Sequence, residues 1–156
     1  MSVTHTHLRS GDLALLRALN EVFAVAFDDP ASYRGKPPSD AYLRDLLESR
    51  DFIALVARDG EAVVGGLTAY VLRKAEQERS EIYLYDLAVL AEYRRRGIAR
   101  GLIGELQRIA RARGAWVVFV QADPGDDPAI ALYTSMGTRE DVHHFDLPID
   151  ARTSGA

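Results

Sequence analysis

The chain has 156 residues, 47% of them hydrophobic and 27% charged, which suits one globular domain with a sizeable core. Its formal net charge of −4 disfavours nucleic acid as the main partner, although residues 94 to 113 are locally basic, and the absence of cysteine excludes disulfides, thiolate nucleophiles and Cys-ligated zinc. No apolar run approaches the roughly 20 residues that span a bilayer, and the N-terminus lacks a secretory pattern, so a cytoplasmic protein with no membrane partner is expected.

Residues 3 to 9 alternate weakly and predict a first strand, with His5 and His7 on one face. No third ligand lies near them in sequence, so they read as exposed strand histidines and no metal site is expected. Asp12 is placed to cap a helix over 13 to 27 that turns Leu15, Leu16, Leu19, Val22, Phe23 and Ala26 inward. The run DDPASYRGKPP, residues 28 to 38, reads as a loop, suited either to border a substrate or to act as a plain connector. Ser39 or Asp40 then caps a helix to about residue 49, with Leu43, Leu46 and Leu47 inward. Residues 52 to 57 and 62 to 72 predict a hairpin turning at Asp59-Gly60. Gly65-Gly66 inside its second strand predicts a bulge or a close backbone approach. Residues 73 to 79 form a charged loop.

The stretch from 80 to 113 organises the rest. Residues 80 to 90, rich in Ile, Tyr, Leu and Val, predict a buried strand. Arg94-Arg95-Arg96-Gly97-Ile98-Ala99 follows, and then a helix with Ile98, Leu102, Leu106 and Ile109 along one face and Gly114 at its C-terminal cap. A strand turning tightly into a helix leaves backbone N–H groups pointing outward, which favours phosphate. Three arginines add charge, and Gly97 removes the side chain that would keep a ligand off the backbone. The spacing matches neither a P-loop nor the dinucleotide fingerprint.

Residues 115 to 121 predict another buried strand. Asp127 reads as the N-cap of a helix with Pro128 in its first position and Ala129, Leu132, Tyr133 and Met136 on one face, stopping at Gly137. Residues 138 to 147 predict a last strand or hairpin, in which His143 and His144 read as surface residues, and residues 151 to 156 a disordered tail. The whole, residues 1 to 156, reads as a single α/β (α+β) domain around a mixed sheet.

The hairpin FIALVARDGEAVVGGLTAYVL, the strand YDLAV, the turn RRRGIA and the closing segment DDPAIALYTSMG together resemble the GNAT superfamily of acyl-CoA N-acetyltransferases. The stretches RSEIYLYDLAV, EQERSEIY and VQADPGDDPAIALYTSMG further resemble the GNAT-type aminoglycoside 3-N-acetyltransferases. The resemblance implies a mixed, mostly antiparallel sheet flanked by helices, with an acetyl-CoA cleft between two central strands. It implies a pyrophosphate site at Arg94, Arg95, Arg96, Gly97, Ile98 and Ala99, and pantetheine aligned along Leu87, Ala88 and Val89, with the Val89 N–H polarising the thioester carbonyl. Further cofactor contacts fall to Asp126, where the family often has Asn, and to Ala129. Tyr133 matches the family's tyrosine beside the leaving sulfur, as general acid or thiolate stabiliser.

For proton removal the candidates are Glu81 and Asp86. Five residues apart, they face opposite sides of a regular strand. A bulge would bring both to one side; alternatively only one is catalytic. Tyr85, Asp86, Asp123 and Asp126 are the expected substrate contacts, since carboxylates suit a polycationic acceptor. The implied function is acetylation of the 3-amino group of a gentamicin-like aminoglycoside, conferring resistance. The alternatives are acetylation of another cationic amine, such as a polyamine, an amino acid or a peptide N-terminus, and a non-catalytic acetyl-CoA-binding module. Members of the family are often dimers, which adds a second copy of the chain as a partner.

Overall fold

The computed structural model describes residues 2–150, so the tail expected at 151–156 lies outside the described residues. The chain forms two compact units, the first ending at Gln121 and the second starting at Ala122.

The first unit is built on a five-stranded sheet in sequential order, β1 (Val3–His7), β2 (Phe52–Asp59), β3 (Ala62–Arg73), β4 (Ser80–Val89) and β5 (Ala115–Val120). Neighbours are antiparallel except β4 and β5, which are parallel, so the sheet is mixed and mostly antiparallel as expected. Helices α1 (Leu13–Ala26), α2 (Pro30–Arg34), α3 (Asp40–Glu48) and α4 (Ile98–Ala112) flank it.

The two sheet faces are covered by different helices. Leu16, Leu19, Val22 and Phe23 of α1, with Leu43 and Leu47 of α3, cluster with Phe52, Ala54 and Val56 of β2. The alternate strand residues, Ile53, Leu55, Leu67, Ile82 and Leu84, are buried on the opposite face, and so are Ile98, Leu102, Leu106 and Ile109 of α4. That last set is the helical stripe read from the sequence.

Local chemistry shifts several expected boundaries. Asp12 holds the N-cap position of α1 as expected, its carbonyl accepting from the Leu16 N–H at 3.1 Å, but its carboxylate accepts from the Arg9 N–H at 2.8 Å and makes no capping bond to the first turn. The segment 28 to 38 is not all loop, because Asp29 accepts from the Ser32 N–H at 3.2 Å and Pro30 opens α2. Ser39 caps α3 as expected, accepting from the Tyr42 N–H at 3.1 Å.

The sheet's register shifts in the β2–β3 and β3–β4 pairings and again between β4 and β5, at Ser80 and Ile82. Ala57 faces Gly65 while Arg58 faces Val63, so Val64 is an extra residue beside the glycine pair. Gly66 is a close approach: a Cβ there would lie 2.5 Å from Leu19 Cδ1 and from the Leu55 carbonyl oxygen. In β4, Asp86 faces Thr68 and Leu84 faces Ala69, so Tyr85 is a bulge residue.

Two expectations are corrected. Residues 138 to 147 form neither strand nor hairpin. Their apolar alternation is broken by His143-His144, and their ion pairs are local, Arg139 with Asp141 at 2.7 Å and His144 with Asp146 at 3.0 Å. Accordingly β5 is the edge strand of the sheet rather than a central one, and it is not fully buried: Trp116 is 64% exposed, with the Arg79 guanidinium 3.9 Å above its ring.

Among its described residues the second unit contains one helix, α5 (Asp127–Met136). Its cap is Asp126 rather than Asp127: the Asp126 carboxylate accepts from the Ala129 N–H at 3.4 Å. Gly125, at φ +93°, makes the turn that brings Asp126 into this position.

Candidate active site

The β4 bulge decides which side chains meet. Thr68, Tyr70 and Leu72 alternate along one face of β3, and their partners across the ladder are Asp86, Tyr83 and Glu81. Because Tyr85 is extra, Asp86 lies on the same face as Glu81 despite their odd spacing. This is the α1 and α3 face, where a cavity of about 160 Å³ is lined by Asn20, Tyr42, Phe52, Thr68, Tyr70 and Asp86 among others.

Asp86 is half-buried and receives a hydrogen bond at 3.1 Å from the Tyr33 hydroxyl of α2. Burial pushes its carboxyl above the ordinary aspartate range, and the Tyr33 bond acts in the opposite direction. Among the described residues no basic side chain contributes to that balance. Burial, and next the negative charge of Asp86, push the Tyr33 phenol well above its usual value.

A row of rings borders this carboxylate. Centroids run from Phe52 to Tyr70 at 5.5 Å, Tyr70 to Tyr85 at 5.7 Å, Tyr85 to Tyr83 at 5.5 Å and Tyr83 to Phe119 at 4.7 Å. Tyr85 is 59% exposed, so the bulge presents an aromatic face beside Asp86. Glu81 is engaged elsewhere on the same face, pairing with Lys74 Nζ at 3.2 Å.

The phosphate-favouring turn is also present. β5 pairs with β4 only as far as Leu84, so Tyr85 to Val89 have a strand neighbour on the β3 side alone. The Leu90 N–H bonds to the Val64 carbonyl of β3 at 2.8 Å. Since backbone groups alternate sides along a strand, the Val89 N–H points to the open edge. On the way to α4 the chain forms a short turn of 3-10 helix at Ala91–Tyr93. Arg94 Nε donates to the Val89 carbonyl at 3.1 Å, so this arginine closes the turn on the end of β4. Arg95 at φ +62° and Gly97 at φ +76° give the turn its left-handed course.

The N-cap of α4 is Gly97, which offers no side-chain acceptor, so the first-turn N–H groups at Ile98 and Ala99 lack a capping side chain. A Cβ on Gly97 would meet nothing within 4 Å. A cavity of about 320 Å³ borders the turn, lined by Val3, His5, Arg96, Gly97 and Ile98. Uncapped N–H groups at a positive helix terminus, with arginines around them, fit a pyrophosphate. His7 is depressed below the ordinary histidine value, first by burial and then by Arg113 and Arg9.

In the second unit Tyr133 is half-buried, and its phenol is pushed up by burial and by the Asp126 carboxylate. Such a phenol keeps its proton at neutral pH and can donate it. The Asp126 N–H bonds to the Asp123 carbonyl at 3.1 Å, so Asp123, Asp126 and Ala129 form one capped turn at the start of α5.

Sequence reasoning missed Tyr33, Tyr70 and Lys74. Tyr33 sits in a segment that reads as loop, and the signal for its helix was Asp29 followed by Pro30.

Residues 16–138 match the model of the acetyltransferase (GNAT) family. The chain belongs to that family. The GNAT family uses acetyl-CoA. Among curated relatives, the chain is 31% identical to N-acetyltransferase 8B of Rattus norvegicus over 90 residues, which is 58% of this chain and 40% of that protein. It is 30% identical to human N-acetyltransferase 8 over 102 residues, 65% of this chain and 45% of that protein. The chain thus spans less than half the length of these relatives. Among solved structures, it is 52% identical to an aminoglycoside acetyltransferase from an uncultured soil metagenomic sample, with a TM-score of 0.94, covering 96% of this chain and 100% of that one. A second such enzyme, solved in complex with sisomicin, is 32% identical with a TM-score of 0.89, covering 95% of this chain and 97% of that one.

Proposed function

We propose that this acetyltransferase acetylates an aminoglycoside, at the 3-amino group of a gentamicin-like drug. The observation that carries the reading is Asp86. It is a half-buried carboxylate held by a neutral phenol, with no basic partner, beside an exposed aromatic ring. A carboxylate in that setting is completed by a cation from the acceptor, and the aromatic face adds cation–π attraction. The similarity to two aminoglycoside acetyltransferases supports an amino sugar as the source of that cation.

Acetyl-CoA, when bound, supplies the thioester whose acetyl carbon the amine attacks. The acceptor ammonium would first lose a proton to base; the free amine would then form the C–N bond as the C–S bond breaks. The second nitrogen proton would be lost to water as the amide forms, and the sulfur would take a proton so that CoA leaves as the thiol. The uncapped turn at Arg95 to Ala99 holds pyrophosphate, and the open edge of Leu87 to Val89 aligns the pantetheine, with the Val89 N–H directed at the developing oxyanion. Asp86 grips the amine, with Tyr85 and the carboxylates Asp123 and Asp126 as further acceptor contacts. Glu81 accepts the proton, through water, once it exchanges its Lys74 partner. Tyr133 returns a proton to the leaving sulfur.

Loss of one cation weakens the drug's phosphate contacts with RNA, which makes resistance the consequence. The reading extends to a homodimer, as the family resemblance implies, and to a place in the cytoplasm. Among the described residues no helix is long and apolar enough to cross a membrane.

The test is CoA release from acetyl-CoA with gentamicin against a panel of polyamines, amino acids and short peptides, with the acetylated position located by NMR. Turnover of gentamicin at the 3-amino group supports the proposal. Activity confined to another amine replaces the acceptor and keeps the chemistry. Acetyl-CoA binding without any turnover favours a binding module.

A further inference from the structure

We propose that Tyr33 is a positioning residue for the acceptor amine: its hydroxyl orients the Asp86 carboxylate, and α2 holds that hydroxyl in place. The proposal rests on the reading of Asp86 as the amine-binding carboxylate.

Tyr33 and Asp86 are 53 residues apart in sequence, and the bond between them is the link from α2 to β4. The tyrosine is held independently of that bond. Its ring packs against Phe23 at 5.8 Å and Phe27 at 5.9 Å, both on α1. Its helix is fixed at the start by the Asp29 cap and at the end by Arg34, which donates three hydrogen bonds to Glu21 of α1, at 2.8, 3.2 and 2.7 Å. A five-residue helix tied down at both ends delivers one hydroxyl to one carboxylate. The bond is to Oδ2, which leaves Oδ1 to accept from an ammonium.

The arrangement also governs protonation. Among the described residues, the ionisable groups around Asp86 are phenols: Tyr33 from α2, Tyr70 from β3, Tyr83 and Tyr85 from its own strand, and Tyr42 of α3 across the same cavity. Tyr33 is the one whose hydrogen bond opposes the upward push of burial. Removing its hydroxyl leaves burial unopposed, so the carboxyl holds its proton to higher pH and grips a cation less well.

The experiment compares wild type, Tyr33→Phe, Asp86→Asn and the double variant, with gentamicin and acetyl-CoA, across pH, with melting temperatures alongside. Tyr33→Phe keeps the ring and its packing. The expected result is a KM for gentamicin raised roughly tenfold, as for a lost hydrogen bond to a charged group. The acidic limb of kcat/KM moves to higher pH, and KM for acetyl-CoA is unchanged. In the Asp86→Asn background the Tyr33→Phe change adds little, because both act through one contact. An unchanged gentamicin KM and pH profile in Tyr33→Phe, beside a damaged Asp86→Asn, overturns the role of Tyr33 alone. If Asp86→Asn itself turns gentamicin over normally, the underlying reading falls and this one with it. A uniform loss accompanied by a large drop in melting temperature overturns positioning in favour of a packing role.

Discussion

Glu81 and Asp86 lie on one face of β4, opposite Leu72 and Thr68, although regular alternation would separate them. Tyr85 is the reason, as the extra residue between Leu84 and Asp86. Deleting Tyr85 removes the bulge and leaves Asp86 four residues from Glu81, still on its face and away from Ile82 and Leu84. The expected outcome is a raised acceptor KM from loss of the exposed ring, with the Asp86 contact retained and only a modest change in melting temperature by calorimetry. Tyr85→Ala keeps the register and removes only the ring; it is expected to raise the acceptor KM several-fold with little change in melting.

Asp86 sets the acidic limb of the pH profile. Burial raises its carboxyl, so kcat/KM falls with decreasing pH at a higher pH than an ordinary aspartate would give. The effect on stability follows from the same shift. The native state holds this proton more tightly than the unfolded chain does. The contribution to stability is therefore full below the unfolded value of about 3.9 and lost as pH rises through the native value. Asp86→Asn removes that loss. At pH 7 it is expected to melt higher than wild type while losing acceptor binding, the trade common at active sites. Thermal denaturation of both proteins at pH 4 and pH 7 checks the sign, with the difference larger at pH 7.

Three glycines separate packing from conformation. Gly66→Ala sets a methyl 2.5 Å from Leu19 Cδ1 and the Leu55 carbonyl, and is expected to cost about 1–3 kcal/mol in urea unfolding. Gly101→Ala places its methyl 2.8 Å from His5 Cε1, the end of an exposed ring that can turn aside, and is expected to be near neutral. Gly97→Ala meets no atom but must hold φ +76°. It is expected to cost about 1–2 kcal/mol and to weaken acetyl-CoA binding measured by titration calorimetry.

Tyr133→Phe keeps the ring of α5 and removes its proton. A lost general acid slows turnover by roughly a hundredfold or more. Stopped-flow and equilibrium measurements are expected to show that fall in kcat with acetyl-CoA affinity preserved.

Much of the scaffold was legible because periodicity is local. The stripe Ile98, Leu102, Leu106 and Ile109 needs only one helix to be read, and the Arg94 to Ala99 turn announces itself by composition. The bulge at Tyr85 was legible as one alternative only, since register belongs to two strands and depends on where Thr68 and Ala69 stand. Asp12 was placed correctly as an N-cap, although its carboxylate turns back to the Arg9 N–H, whereas the cap assigned to Asp127 falls to its neighbour Asp126, whose carboxylate reaches the Ala129 N–H. The exposure of Trp116 was hidden because β5 reads as apolar whether or not a further strand covers its edge. Tyr33 could not be found at all from the sequence, its partner being on another element.

The most direct measurement is kcat/KM for gentamicin at saturating acetyl-CoA, in wild type and in Asp86→Asn, followed by CoA release at neutral pH. The account predicts gentamicin turnover by wild type and at least a roughly hundredfold lower kcat/KM in the variant, as for a buried charge contact removed. Equal kcat/KM in the two proteins, or no gentamicin turnover by wild type while another amine is acetylated, would contradict it.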